Sequence, residues 1–361
     1  MKMIKHLYIH VPFCKTICSY CDFCHRIYDE KVAQSWLLRL KEEFLECEKE
    51  QYSTIYIGGG TPSSLNHKQL DYLLTLCAKH QEEVEEYTVE LNPETIDEEK
   101  IAILIKHGVN RVSMGLQSSN PQELKLMNRH HSFDDVKDKI QLLRNKGITN
   151  ISIDIIYSLP NQTMDSLSKT LSDALSLDVP HISLYSLTIE ENTIFGKKGY
   201  KPLNADLEAD MYEYIVKTLT DAGYDQYEIA NFSKPGYKSK HNLGYWHYDD
   251  YRGLSLGSTS KINHKRYDKT KDMKAYLEKR KLIDNLDDLS IHDEAFENIM
   301  MSLRLKEGLN LDTFLKRYGF DPLNYYQEVL DKHKNDFMIK DNHLICTKRE
   351  ILNTILVDFL L

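Results

Sequence analysis

The sequence predicts an α/β protein: a parallel sheet curled into a partial six-stranded barrel, followed by a smaller winged-helix-like α+β module. Three observations carry that prediction. Short apolar runs rich in β-branched residues alternate with helical segments through the first two-thirds of the chain, the pattern of βαβ units with right-handed crossovers. Polar or glycine-rich residues gather just past these runs, as at the C-terminal rim of barrel strands. From about residue 290 the order becomes helix, helix, helix, hairpin, helix.

The elements follow in order. Leu7 to Val11 reads as the first strand, and Pro12 ends it. A helix is expected over roughly 30–50, with Trp36, Leu37, Leu40 and Phe44 on one face. Strand two is Thr54 to Ile57, and a helix follows over about 66–79. Strand three is Tyr87 to Leu91; Asp97 caps the next helix and Gly108 closes it. Strand four, Arg111 to Met114, leads to a helix over about 132–145. Strand five, Ile151 to Ile156, leads to a helix over about 164–177, and strand six is His181 to Leu187. A helix over 203–222 comes next. The C-terminal hairpin is expected around Phe337–Lys340 and His343–Cys346. These features divide the chain into a barrel over 1–230, a connecting region over 231–289 and the C-terminal module over 290–361.

The rim carries the chemistry. Cysteines follow strand one, and Gly58-Gly59-Gly60-Thr61-Pro62 follows strand two. Glu90 and Asn92 close strand three, Gln117 follows strand four, and Tyr185 and Thr188 mark strand six. Each alone is an ordinary cap or turn residue; one pocket at the rim explains them together. Asp154, inside Ile-Asp-Ile-Ile, is the hardest to treat as ordinary, because a carboxylate in a buried parallel strand is costly unless paired or functional. The bare backbone of the triple glycine lets a ligand approach closely.

Cys14, Cys18 and Cys21 fall in one loop with C-x3-C-x2-C spacing. Three neighbouring thiols cannot all pair as disulfides, but they can converge on one iron–sulfur cluster. Zinc is the alternative: it wants four ligands at a structural site, and Cys24 or His25 could supply the fourth. Seven cysteines, three of them clustered, argue for metal chemistry in a reducing compartment rather than a disulfide framework. The net charge of −9 disfavours nonspecific nucleic-acid binding. There is no apolar run near the roughly 18 residues of a membrane span, and no signal-peptide pattern. His241-Asn242-Leu243-Gly244-Tyr245-Trp246, with Tyr248 and Tyr251 close by, reads either as a structural aromatic cluster or as a wall for a flat aromatic ligand. On the second reading His241 or His247 is a candidate axial ligand.

The cysteine loop resembles that of the radical S-adenosylmethionine superfamily, and the likeness becomes more specific along the chain. Leu-Tyr-Ile-His-Val-Pro-Phe-Cys, Gly-Gly-Gly-Thr-Pro-Ser, Glu-Leu-Asn-Pro-Glu, Gly-Val-Asn-Arg-Val-Ser-Met-Gly-Leu-Gln-Ser and Gln-Tyr-Glu-Ile-Ala-Asn-Phe resemble the oxygen-independent coproporphyrinogen III oxidase family, nearly end to end. The short N-terminus, Cys21-Asp22-Phe23 and the H-N-x-x-Y-W motif are similar to the family's heme chaperone branch. The resemblance implies a 4Fe-4S cluster on Cys14, Cys18 and Cys21. It implies S-adenosylmethionine beside Tyr8, Gly59, Gly60, Thr61 and Glu90, with Tyr20 also binding cofactor. Gln117, Arg129 and Asp154 match positions that bind S-adenosylmethionine in the oxidases, partly a second molecule. His241, Asn242, Tyr245 and Trp246 would contact heme.

Two residues depart from the branch pattern: Cys24 stands where asparagine is more common, and Thr259 where a histidine is. The implied function is a cytoplasmic heme chaperone that delivers heme to acceptor proteins, including respiratory enzymes at the membrane, with a homodimer as the candidate assembly. The alternatives are an oxidase that decarboxylates coproporphyrinogen III to protoporphyrinogen IX and a zinc-stabilised interaction protein.

Overall fold

The computed structural model describes residues 4–360. Strands β1 (His6–Val11), β2 (Thr54–Gly59), β3 (Glu86–Leu91), β4 (Arg111–Gln117), β5 (Asn150–Tyr157) and β6 (His181–Ser186) lie side by side in chain order, every neighbouring pair parallel. The connecting helices are α1 (Glu30–Glu46), α2 (His67–Cys77), α3 (Glu98–Lys106), α4 (Pro121–Leu126), α5 (Phe133–Asn145) and α6 (Met164–Ser176). Their starts are set locally. Asp29, Asn66, Asp97, Ser132 and Thr163 each cap a helix by accepting a backbone N–H from its first turn. Of these elements only α4, a six-residue helix started by Asn120 and Pro121, was not expected from the sequence.

The strands read with a strict period of two. One phase, including Leu7, Ile9, Ile55, Ile57, Val89, Val112, Met114, Ile153 and Leu184, is buried in the hydrophobic core that the helices cover. The other phase is polar: His6, Tyr8 and His10; Thr54 and Tyr56; Glu86, Thr88 and Glu90; Arg111 and Ser113; Ser152 and Asp154; His181, Ser183 and Tyr185. The sheet curls round this second phase, and side chains from β2 through β6 line one cavity, which a flat sheet would not allow.

After α7 (Ala205–Asp221), β7 (Asn231–Ser233) pairs antiparallel with β6. Helix α8 (Lys240–Trp246) then occupies the lumen at the N-terminal ends of the strands, where it completes the buried polar network. Glu86 accepts the amides of Lys240 and His241, both at 2.9 Å. The His241 ring is 1% exposed, with Nδ1 2.7 Å from the Thr54 hydroxyl and Nε2 2.9 Å from the Tyr245 hydroxyl. Burial pushes this imidazole well below its usual pKa, so it is neutral. Gly244 is required here, because a Cβ would run into the His6 ring.

The region over 231–289, expected as a connection, adds strands to the same sheet. Strand β8 (Tyr251–Leu254) runs parallel to β1 on its free edge. Strands β9 (Thr259–Ile262), β10 (Lys265–Lys269) and β11 (Ile283–Asp288) extend it antiparallel. The last part holds its own core. It contains α9 (Ile291–Ser302), α10 (Leu311–Tyr318) and two short helices over 322–325 and 327–332 in place of a single third helix. The hairpin of β12 (Phe337–Lys340) and β13 (His343–Cys346) falls where the sequence puts it.

The His241→Ala variant should lose roughly 2–4 kcal/mol of stability, because a buried ring is removed, the Tyr245 hydroxyl loses its partner and the Thr54 hydroxyl keeps only His6. Urea unfolding followed by circular dichroism measures this, and an unchanged midpoint would refute the structural role of the ring.

Candidate functional site

The cysteine loop is fastened at several points. Phe13–Cys14 pairs with Arg26–Ile27. The Ser19 amide donates to the Met127 carbonyl at 3.0 Å, and the Asn128 side chain donates to the Ile17 carbonyl at 2.8 Å. Beside the loop, the glycine turn is locked to β1, with the Gly60 amide on the Val11 carbonyl and the Thr61 amide on the Phe13 carbonyl, each at 2.8 Å. Cys14, Cys18 and Cys21 line one cavity of about 540 Å³ with Tyr20, Gly59, Gly60, Thr61, Glu90, Gln117, Arg129 and Asp154. The Thr61 hydroxyl lies 3.6 Å from Cys14 Sγ, and the Arg129 guanidinium 3.7 Å from Cys18 Sγ. Burial pushes the Cys14 thiol up to about 11 and the Cys21 thiol to about 12.

The turn needs glycine for two reasons. Gly59 has φ +107°, and a Cβ on Gly58 would stand 2.6 Å from Glu90 Oε1. Glu90 accepts the Tyr56 hydroxyl at 2.8 Å and the Gly59 amide at 3.0 Å. Burial pushes its carboxyl up to about 7, offset by the Tyr56 bond and reinforced by the charge of Asp154. Asp154 accepts the Ser113 hydroxyl at 3.1 Å, and burial raises it too. The buried Nε atoms of Arg111 and Arg129 have no hydrogen-bond partner among the described residues. A cavity with unpaired cationic donors, a raised carboxyl pair, a glycine cradle and three thiols suits a charged, zwitterionic ligand beside a thiolate-bound cluster. Arg111, Tyr56 and Ser113 were not singled out from the sequence. Their signal was available, since they occupy the inward phase of strands whose outward phase is apolar.

A second cavity, of about 740 Å³, adjoins the first; Tyr185 and Asn242 line both. Tyr8, Tyr245, Trp246, Tyr248, Tyr251 and Thr259 face it, with Met300, Met301 and Arg304 from the C-terminal module. Asn242, Tyr245 and Trp246 therefore share the wall of this cavity. His241 lies in the floor below with both nitrogens engaged. His247, the other histidine considered as a ligand, is turned to Glu307 at 2.9 Å. Cys24 packs against Gly257, outside the group of thiols lining the first cavity.

Three thiols and a glycine turn at the C-terminal rim of a parallel half-barrel define a radical S-adenosylmethionine protein. The Radical SAM superfamily model matches residues 8–174, and the HemN C-terminal domain model matches residues 289–352. The heme chaperone HemW of Lactococcus lactis is 36% identical over 98% of this chain and 97% of its own length. That of Bacillus subtilis is 35% identical over 88% of this chain and 87% of its own. The chain belongs to the heme chaperone HemW family. Its fold is also similar to the solved coproporphyrinogen III oxidase HemN of Escherichia coli, with TM-score 0.86 and 20% identity, covering 99% of this chain and 90% of that one.

A carboxyl raised from the usual 4.5 to about 7 on folding holds its proton longer in the native state. Over that window the native state binds more protons than the unfolded chain, so stability falls as pH rises. Glu90→Gln should flatten this slope between about pH 5 and 7. Denaturant midpoints at the two pH values measure it, and parallel slopes for variant and parent would contradict the assignment.

Proposed function

We propose that this chain is a heme chaperone. Cys14, Cys18 and Cys21 hold a 4Fe-4S cluster, S-adenosylmethionine occupies the cavity beside it, and heme rests in the adjoining aromatic cavity before transfer to an acceptor protein. The observation that carries the reading is the pairing of the two cavities, one lined by thiols and glycines, the other by aromatic rings and cationic side chains, with Asn242 and Tyr185 between them. The names of the curated relatives support it. The three thiols face one shared space, which suits a cluster.

A bound cluster would supply an open iron and a transferable electron. The chain's own residues do the rest. The glycine turn admits the ligand, and Glu90 in its ionised form attracts a cationic amino group. Arg129 and Arg111 offer donors to carboxylate oxygens, and the sealed floor excludes water from below. We also propose the division at 230 and 289, a cytoplasmic location and acceptors that include membrane enzymes. No helix among the described residues is long and apolar enough to cross a membrane.

Anaerobic reconstitution with iron and sulfide should give a brown protein, and Cys→Ala at position 14, 18 or 21 should abolish its cluster absorbance. The loaded chain should take up heme, and should release no protoporphyrinogen from coproporphyrinogen III with S-adenosylmethionine and a reductant. Porphyrin product would make it an oxidase, and a colourless protein containing zinc would make it neither.

A further inference from the structure

The second cavity sets strict terms for an iron ligand. Among the described residues that line it there is no histidine and no cysteine. His241 has both ring nitrogens in hydrogen bonds in the floor. The phenols are poor candidates. Tyr8 is bonded to His10 at 3.0 Å, Tyr245 to His241 at 2.9 Å, and Tyr248 to Glu297. Burial pushes Tyr251 up to about 12, so it gives no phenolate readily, and Tyr185 lies at the seam with the first cavity rather than within the second. What remains is thioether sulfur. A thioether coordinates heme iron without losing a proton and is an established axial ligand type. Helix α9 presents Glu297, Met300 and Met301 to the cavity at i, i+3 and i+4, and Arg304 follows at i+7. Met300 also packs against the C-terminal core, which leaves Met301 the freer of the two sulfurs.

The charges around the cavity separate in the same way. Glu297 is paired with Arg266, Lys261 with Asp250, and Asp249 with Arg317. Glu228 is held by Asn231 and the Ala230 amide. Among the described residues Arg304 makes no ion pair; its guanidinium donates only to the Met300 carbonyl and the Asn353 side chain. It is the cation left to receive a carboxylate of the ligand.

We propose that the second cavity is the tetrapyrrole seat, with Met301 as the protein's axial ligand to the heme iron, Arg304 as the partner of a propionate, and His241 as a buried support rather than a ligand. This rests on the heme-binding reading above and names its residues. A ligand drawn from α9 ties the iron to the C-terminal module, while the rings of Tyr245 and Trp246 are contributed by α8. The porphyrin would thus bridge the module and the barrel.

The test titrates the full chain with hemin and, separately, with metal-free protoporphyrin IX, followed by absorption and electron paramagnetic resonance. Met301→Leu keeps the side-chain volume and should lose the thioether-ligated spectrum. Its hemin affinity should fall about tenfold, with a smaller loss for the metal-free ring, which has no iron to bind. Met301→His should restore ligation with an imidazole-type spectrum. Arg304→Gln should weaken both ligands about tenfold. Circular dichroism and cluster content report whether each variant is folded. Hemin uptake by the unsubstituted chain, with parental spectrum and affinity in Met301→Leu or unaltered affinity in Arg304→Gln, would overturn this proposal and leave the chaperone reading standing. No hemin uptake by the unsubstituted chain would overturn both.

Discussion

The constraint on which the rest of the structure depends is the polar lumen. A parallel barrel with helices outside would ordinarily fill its interior with branched apolar side chains. Here the inward phase of the strands is largely polar, Gly115 and Ile156 excepted, and each polar group must find a partner or cost on the order of 1–3 kcal/mol. The lower half of the lumen meets that demand with protein. Helix α8 inserts its N-terminal amides onto Glu86 and its His241 ring between Thr54 and Tyr245. His181 closes the other side between Ser152 and Tyr227, at 2.8 and 2.9 Å. The upper half is left incomplete, with raised carboxyls and unpaired guanidinium nitrogens around an open space. A floor closed by these hydrogen bonds, below a rim that leaves raised carboxyls and guanidinium nitrogens around an open space, fixes the position of the site along the barrel axis.

Much of this could be read from the sequence because it is local. Helix caps are set by one side chain and the amides two or three residues on, so the starts of α2, α3 and α5 followed directly from Asn66, Asp97 and Ser132. The cysteine loop and the triple glycine are likewise contiguous, and their chemistry depends on spacing within a few residues. What could not be read was set by distant contacts. Tyr-Arg-Gly-Leu at 251–254 has no strand periodicity of its own and becomes β8 only because β1 offers a free edge. Its neighbours β9 to β11 follow from that pairing rather than from their composition.

The H-N-x-x-Y-W stretch shows the limit most clearly. As a string it presents a histidine beside aromatics, which suits either an axial ligand with a stacking wall or an aromatic cluster. The fold splits these roles along one short helix. His241 faces down into the lumen, where burial keeps it neutral and both nitrogens are used. Asn242, Tyr245 and Trp246 lie along the second cavity. Sequence order cannot separate these faces until it is known that α8 lies inside the barrel, with Gly244 against His6.

This placement couples the two cavities. Tyr245 reaches from the floor, where its hydroxyl meets His241, to the wall of the second cavity. Asn242, on the same helix, lines both cavities, and Tyr185 joins them from β6. A ligand that shifted α8 would therefore disturb the Thr54–His241–Tyr245 chain, and interiors packed this closely resist small displacements. The helix is best understood as a fixed partition. It holds the rings on one side at a set distance from the glycine turn and thiols on the other, so that the occupants of the two cavities meet at Asn242 and Tyr185 without either having to reshape the barrel.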